Sequence, residues 1–241
     1  MNKDNKYTKM QKQFYESTSA NMAKVNHRNH DINPDYWNIL LQPVREDSAY
    51  WKNKKALDFG CGTGRNICNL SRMTFWKRVD GVDISENNLK EADRILKREG
   101  VDPKNYKLFM NNGVDLSCIE DEQYDFVMST IVLQHIAVYD IRFSLLSEIF
   151  RILKPFSSSG STFRESIFSF QMGFGEGRGK AEYHENAYDA KGTNSKHDVI
   201  VRDPKQIIDD LQKIGFYGIT YVIRPAFSDG HSSWIFFTAC K

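Results

Sequence analysis

The sequence predicts an α/β fold, a mostly parallel sheet with helices on both faces and a reversed final strand. Three observations point to it. From about residue 54, short runs rich in β-branched and aromatic residues alternate with longer amphipathic segments. A glycine-rich turn follows the first of these runs. The last two runs are joined by "SDGHS", too short for a parallel crossover, so the final strand must run antiparallel to its neighbour.

Taken in order, residues 1–50 are polar, helical in parts and broken by Pro34 and Pro43, which predicts an N-terminal helical cap. Strands are expected at "KALDF", "RVDGVDI", "YKLFMN", "YDFVMST" and "STFRESIFSF", with helices between them at 64–73, 86–99, 115–121 and 138–152. A helix over "DPKQIIDDLQKIGF" has Asp203 as N-cap, Pro204 in its first turn and Gly215 as its stop. The strands "ITYVIRPAF" and "SWIFFTACK" close the chain. The stretch 171–198 is polar and glycine-spaced, and reads as a long inserted loop in a domain spanning 51–241.

Bulk properties exclude several classes. At 241 residues and 40% hydrophobic content the chain can bury one substantial core. A net charge of +2 provides no field for nucleic acid, although the first thirty residues lean basic. Cys61, Cys68, Cys118 and Cys240 are scattered without a CxxC, as expected of a reduced, cytoplasmic protein. The opening residues contain no apolar h-region, and no apolar run reaches the roughly twenty residues of a membrane span.

The turn "KALDFGCGTGRN" carries the chemistry. Gly60, Gly62 and Gly64 permit a sharp bend from strand to helix and close approach of a ligand. The spacing is GxGxG, whereas the dinucleotide fingerprint is GxGxxG. Asp83 ends the second strand nineteen residues after Gly64, where an acid can accept both hydroxyls of a ribose. Asp58 and Asp83 at adjacent strand ends would repel a pyrophosphate and suit a ligand with a cationic or hydroxylated face. A plain strand-to-helix connection and a nicotinamide site remain alternatives on these residues alone.

Over residues 54–155 the chain resembles the class I S-adenosylmethionine-dependent methyltransferases, of the type 11/12-like group. The motifs "LDFGCGTG", "VDGVDIS", "NNGVDL", "YDFVMSTIVLQHI" and "EIFRILKP" follow one another in the expected order. The resemblance implies a Rossmann-like seven-stranded sheet with an antiparallel last strand, and S-adenosylmethionine as methyl donor, leaving S-adenosylhomocysteine. It implies that Asp58, Gly60, Gly62 and Gly64 surround the methionine part, that Asp83 holds the ribose and that Ile84 packs on adenine. Asn112, Gly113 and Val114 fall at the adenine edge, where Asn112 or Asp115 would accept the exocyclic amine. Ser129 and Thr130 end the fourth strand near the sulfonium. The family often reads "LKPGG" where this chain has "LKPFSSSGS", a longer and more polar turn.

For the acceptor, His135 in "LQHI" follows the fourth strand and is the candidate base or substrate contact; its alternative is a residue that orders a loop. Tyr15 or Arg28 of the cap would lie near the cofactor carboxylate. Tyr183, His184, Glu185 and Asn186 of the inserted loop would reach an acceptor. His27 and His30 share a helix face, but two ligands do not make a site and "MSTIV" lacks the acid of metal-dependent O-methyltransferases, so no metal is expected. No Pro-Pro-aromatic motif, Pro-Cys motif or paired-glutamate loop points to DNA or protein arginine. The expected function is methyl transfer to a small molecule, with oxygen preferred and a sugar or glycan intermediate favoured. The alternative is a sensor or scaffold that holds the cofactor without turnover. Oligomeric state is not legible.

Overall fold

The computed structural model describes residues 3–28, 34–156, 165–176, 180–190, 198–225 and 232–241. Helix α1 spans Lys3–Arg28, α2 Pro34–Leu40 and α3 Gln42–Glu46. The alternating core follows as β1 (Lys55–Phe59), α4 (Arg65–Ser71), β2 (Arg78–Asp83), α5 (Glu86–Arg98), β3 (Leu108–Met110), β4 (Phe126–Ser129), α6 (Tyr139–Ile152) and β5 (Ile167–Phe174). Then come β6 (Ala181–Glu182), β7 (Val199–Ile200), α7 (Pro204–Ile214), β8 (Tyr217–Pro225) and β9 (Ser233–Cys240).

Seven strands form one sheet in the order β3-β2-β1-β4-β5-β9-β8. β1 to β5 are parallel, and β9 is antiparallel to both β5 and β8. Residues of β1 and β4 are buried on both faces, which is why "ALDF" and "FVMS" open on consecutive apolar residues rather than alternating with polar ones. One core joins α6 and α7 to the sheet through Leu145, Ile149, Phe168, Phe170, Ile207 and Leu211. A second core, on Ile67, Ile95, Phe126 and Trp234, takes in Leu40, Leu41, Val44 and Trp51. The chain from α2 to Trp51 is thus part of the sheet's own packing, and of the first fifty residues α1 is the element that stands at the strand ends.

The local signals explain most boundaries. Ser85 caps α5 by accepting from the Asn88 amide, and Asp203 with Gln206 forms a capping box on α7. Two expectations are corrected. No helix forms at 115–121, because Asp115 Oδ1 accepts from the Ser117 amide and hydroxyl and closes a turn instead. The inserted loop does not begin at 171, since β5 runs on through Phe174 paired with β9. Within it, β6 pairs with β7 in a small parallel sheet, and residues 177–179 and 191–197 lie outside the described residues.

Candidate active site

β1 and β4 are neighbours, but the chain leaves them in opposite directions across the sheet, toward β2 and toward β5. Parallel sheets open a crevice at such a switch point, beyond the carboxyl ends of the strands. A cavity of about 280 Å³ lies there, lined from the glycine turn, the ends of β2 and β4, and α1. Among the described residues no helix is long and apolar enough to cross a membrane.

The glycine turn is shaped by close packing. Gly60 has φ +72°, and a Cβ on it would lie 2.3 Å from a methyl of Val132. Its amide donates to the Val82 carbonyl at 2.8 Å, fixing the turn to β2. Gly62 donates its amide to Asp83 Oδ2 at 2.8 Å, while Asp83 Oδ1 accepts from the Ser85 amide and Asn88 Nδ2. Burial still raises the Asp83 carboxyl above its ordinary value, against the pull of these donors. Asp58 is wholly enclosed; one oxygen accepts from Asn66 Nδ2 at 3.0 Å and the other has no partner among the described residues. Burial pushes its carboxyl up to about 7.

Beyond β4 the backbone is forced. Ile131 has φ +56°, a region that β-branched residues avoid. Its amide is held by Gln171 Oε1 at 2.8 Å, and Gln171 Nε2 in turn donates to Gln134 Oε1. This twist turns the segment 131–136 back over the cavity, where Ile131, Val132, His135 and Ile136 line the wall. Tyr7 of α1 locks the same segment, its hydroxyl donating to the His135 carbonyl and accepting from the Ala137 amide at 2.8 Å.

Of the residues singled out in the sequence, Tyr15, Gly60, Gly62, Asp83, Ile84, Gly113 and His135 line this one cavity. Others are placed elsewhere. Gly64 caps α4 and packs toward Ala92. Ser129 turns inward and donates to the Phe59 carbonyl, whereas Thr130 faces the cavity. Asn112 is exposed, and its Oδ1 is occupied by the amides of Val114 and Asp115. Val114 packs on the core instead. The side chain of Arg28, like those of His27 and His30, lies outside the described residues.

The four loop residues expected at the acceptor do not line the cavity. Tyr183 is fully buried and donates to Asp210, with Arg142 stacked on its ring at 4.7 Å. His184 packs edge-on to Tyr139, Glu185 accepts from the Glu182 amide, and Asn186 bonds to Asp140. These contacts fasten the segment to α6 and α7. Burial of an aromatic ring and pairing of Asn with Asp across elements are long-range effects that a polar loop composition hides.

Several wall residues were missed in the sequence, and four polar ones matter most. Thr8 and Gln11 of α1, Asn88 of α5 and Asn111 after β3 all face the cavity, and Gln11 Nε2, Asn88 Oδ1 and Asn111 Oδ1 are buried polar atoms with no partner among the described residues. Unmatched donors and acceptors in a wall point to a polar ligand. A flat heterocycle with ring nitrogens and an exocyclic amine, beside a ribose at Asp83, would match them, so the cavity fits an adenosine. The polar alternation of "KMQKQFYES" was the available signal for α1, but it does not say which face turns inward.

Residues 56–156 match the model of a methyltransferase domain. That region is a methyltransferase domain, and the chain as a whole has the fold of solved S-adenosylmethionine-dependent methyltransferases. It is similar to the demethylmenaquinone methyltransferase of Staphylococcus aureus, at 30% identity over 55% of this chain and 52% of that protein. The chain spans about half the length of the curated relatives it matches. Among solved structures, a methyltransferase of Methanosarcina mazei superposes with a TM-score of 0.60 and 18% identity over 80% of this chain and 95% of its own. A phosphoethanolamine N-methyltransferase of Haemonchus contortus, solved with phosphomonomethylethanolamine and S-adenosylhomocysteine, superposes with a TM-score of 0.57 and 19% identity, covering 85% and 52%.

Proposed function

We propose that the chain is an enzyme that transfers a methyl group from S-adenosylmethionine to a small-molecule acceptor, at oxygen by preference, with a sugar or glycan intermediate as the favoured class. The observation that carries this reading is that one cavity joins the glycine turn and Asp83 to His135. The acceptors named for relatives differ, and each of the two named proteins is only about half covered by this chain, so neither acceptor is carried over. α1 acts as the cap, and the cytoplasm is the compartment proposed.

When bound, the cofactor supplies an activated methyl on a positively charged sulfur. Asp83 would hold the ribose hydroxyls, with Gly62 and Ser85 keeping the carboxylate in place. Asn111 and Gln11 would take the adenine edge and Ile84 its face, the role first expected of Asn112. The turn around Gly60 and Gly62 would bound the methionine part, with Asp58 behind it holding Asn66 of the wall. His135 would take the acceptor proton, and Ile131, Val132 and Ile136 would exclude water around it. Holding the two reactants in line is the larger share of the catalysis, since oriented reactants can gain roughly 7–11 kcal/mol.

The test is direct. Titration calorimetry with S-adenosylhomocysteine should show binding, and a panel of hydroxylated acceptors should release it from S-adenosylmethionine. His135→Ala should leave cofactor affinity within about twofold and slow turnover at least a hundredfold, the lower end of general-base contributions. Wild-type turnover in that variant would remove His135 as base. Binding with no release against any acceptor would favour a sensor.

A further inference from the structure

His135 does not stand alone. Its Nδ1 lies 2.7 Å from Oδ1 of Asp198, a buried carboxylate at the foot of β7, sixty-three residues further along the chain. We infer that Asp198 is the positioning residue of His135, fixing the proton on Nδ1 so that Nε2 presents a bare lone pair to the cavity. The inference rests on reading His135 as the acceptor-side base, and it adds the element that makes such a base competent.

The argument is one of hydrogen-bond bookkeeping at an imidazole. A neutral ring carries one N–H and one acceptor nitrogen, and which is which follows from the partner of each. A carboxylate only accepts, so the nitrogen facing Asp198 must be the donor. The side chain of His135 is 16% exposed, and the residue lines the cavity, so Nε2 is the nitrogen left to face it. The acceptor O–H would give its proton to Nε2 as the O–CH3 bond forms and the S–CH3 bond of the sulfonium donor breaks. The positive charge then on the ring would sit against the Asp198 carboxylate, and the proton would pass to water after product leaves.

Several features hold this pair in register. The Ala181 amide donates to the Asp198 carbonyl at 3.1 Å, tying the residue into the β6–β7 sheet. The His135 carbonyl accepts from Tyr7, and the next carbonyl, of Ile136, accepts from buried Arg142, which also donates to the Tyr183 carbonyl. The segment 181–190 of the insertion therefore fastens the same α6 that anchors the histidine loop. On this reading the insertion delivers a carboxylate behind the histidine, where the sequence suggested acceptor contacts from residues 183–186.

A structural tie would fix the ring proton as well, so turnover is read beside the tautomer. Against the acceptor panel Asp198→Asn should lower kcat at least about tenfold and Asp198→Glu should restore it, and an unchanged kcat would overturn the assignment. In full-length chain labelled with 15N-histidine, and with the His135 signals assigned by their loss in His135→Gln, the neutral ring should carry its proton on Nδ1. Asp198→Asn should move the proton to Nε2, as loss of the charged partner does in serine-protease triads, and Asp198→Glu should restore Nδ1–H. S-adenosylhomocysteine should bind Asp198→Asn within about twofold of the wild-type affinity. A wild-type ring protonated on Nε2, an unchanged tautomer in Asp198→Asn, or a more than tenfold loss of S-adenosylhomocysteine affinity would each overturn the assignment. These outcomes are separate from the fate of His135→Ala: normal turnover there would remove the base while leaving the tautomer result intact.

Discussion

Asp58 and the two asparagines after β3 show how much one atom decides at this site. Asp58 is buried with one oxygen unmatched, and burial raises its carboxyl to about 7. A folded-state value above the unfolded one means that the stabilisation is complete below about pH 4 and is lost as pH rises through about 7. Ionising it costs on the order of 4 kcal/mol. Asp58→Asn should therefore melt higher than wild type at pH 8 and by a much smaller margin at pH 4, as read by thermal unfolding at both; equal shifts at the two pH values would contradict the buried charge. Asn111 and Asn112 are adjacent, and one lines the cavity while the other closes a turn. Asn111→Ala should weaken S-adenosylhomocysteine binding about tenfold by calorimetry, whereas Asn112→Ala should leave it within about twofold. The acid at Asp83 and the glycines were legible in sequence because strand–turn–helix spacing dictates them. The asparagine choice was not, because a one-residue offset in an irregular segment leaves no periodic trace.

Among the elements, the end of β4 is where local preference and tertiary structure disagree most. A β-branched residue at φ +56° persists only when its surroundings over-determine it. Gln171 does so by accepting the Ile131 amide from inside β5. Gln171→Leu fills similar space but strands that buried amide, at a cost of about 1–3 kcal/mol. The variant should melt several degrees lower than wild type by calorimetry, and an unchanged melting temperature would deny Gln171 that role. The same residue explains a misreading. Gln171 and Gly173 look like the start of a polar loop, yet both sit in β5 opposite Phe236 and Trp234 of β9. Partners some sixty residues away override the local signal. The capping box of α7 and the Ser85 cap of α5, by contrast, depend on neighbours in sequence and could be read directly.

At the scale of the whole molecule, the order β3-β2-β1-β4-β5-β9-β8 sets the crevice at the β1/β4 boundary; the alternating pattern of the sequence was enough to expect a mostly parallel sheet, but not the order of its strands. The division of the first fifty residues was not legible, since long-range packing such as that of Trp51 on Trp76 and Phe126 enrols residues 40–51 in the core. α1 is different. Its fastenings among the described residues include three separated points: Asp4 accepts from Tyr188, Tyr7 bridges His135 and Ala137, and Glu16 accepts from the first amides of α5, those of Glu86 and Asn87.

Those three fastenings have a kinetic meaning. A ligand roofed by α1 can exchange only as fast as the helix peels back, so residence time belongs to the helix as much as to the contacts beneath it. If departure of S-adenosylhomocysteine is the slow event of a turnover cycle, Glu16 and Tyr188 govern the pace without touching either reactant. Hydrogen exchange makes this measurable. With S-adenosylhomocysteine at one hundred times its Kd, amides of residues 5–16 that open only in the ligand-free form should exchange about a hundredfold more slowly. No slowing there would mean that the ligand comes and goes beneath a closed helix.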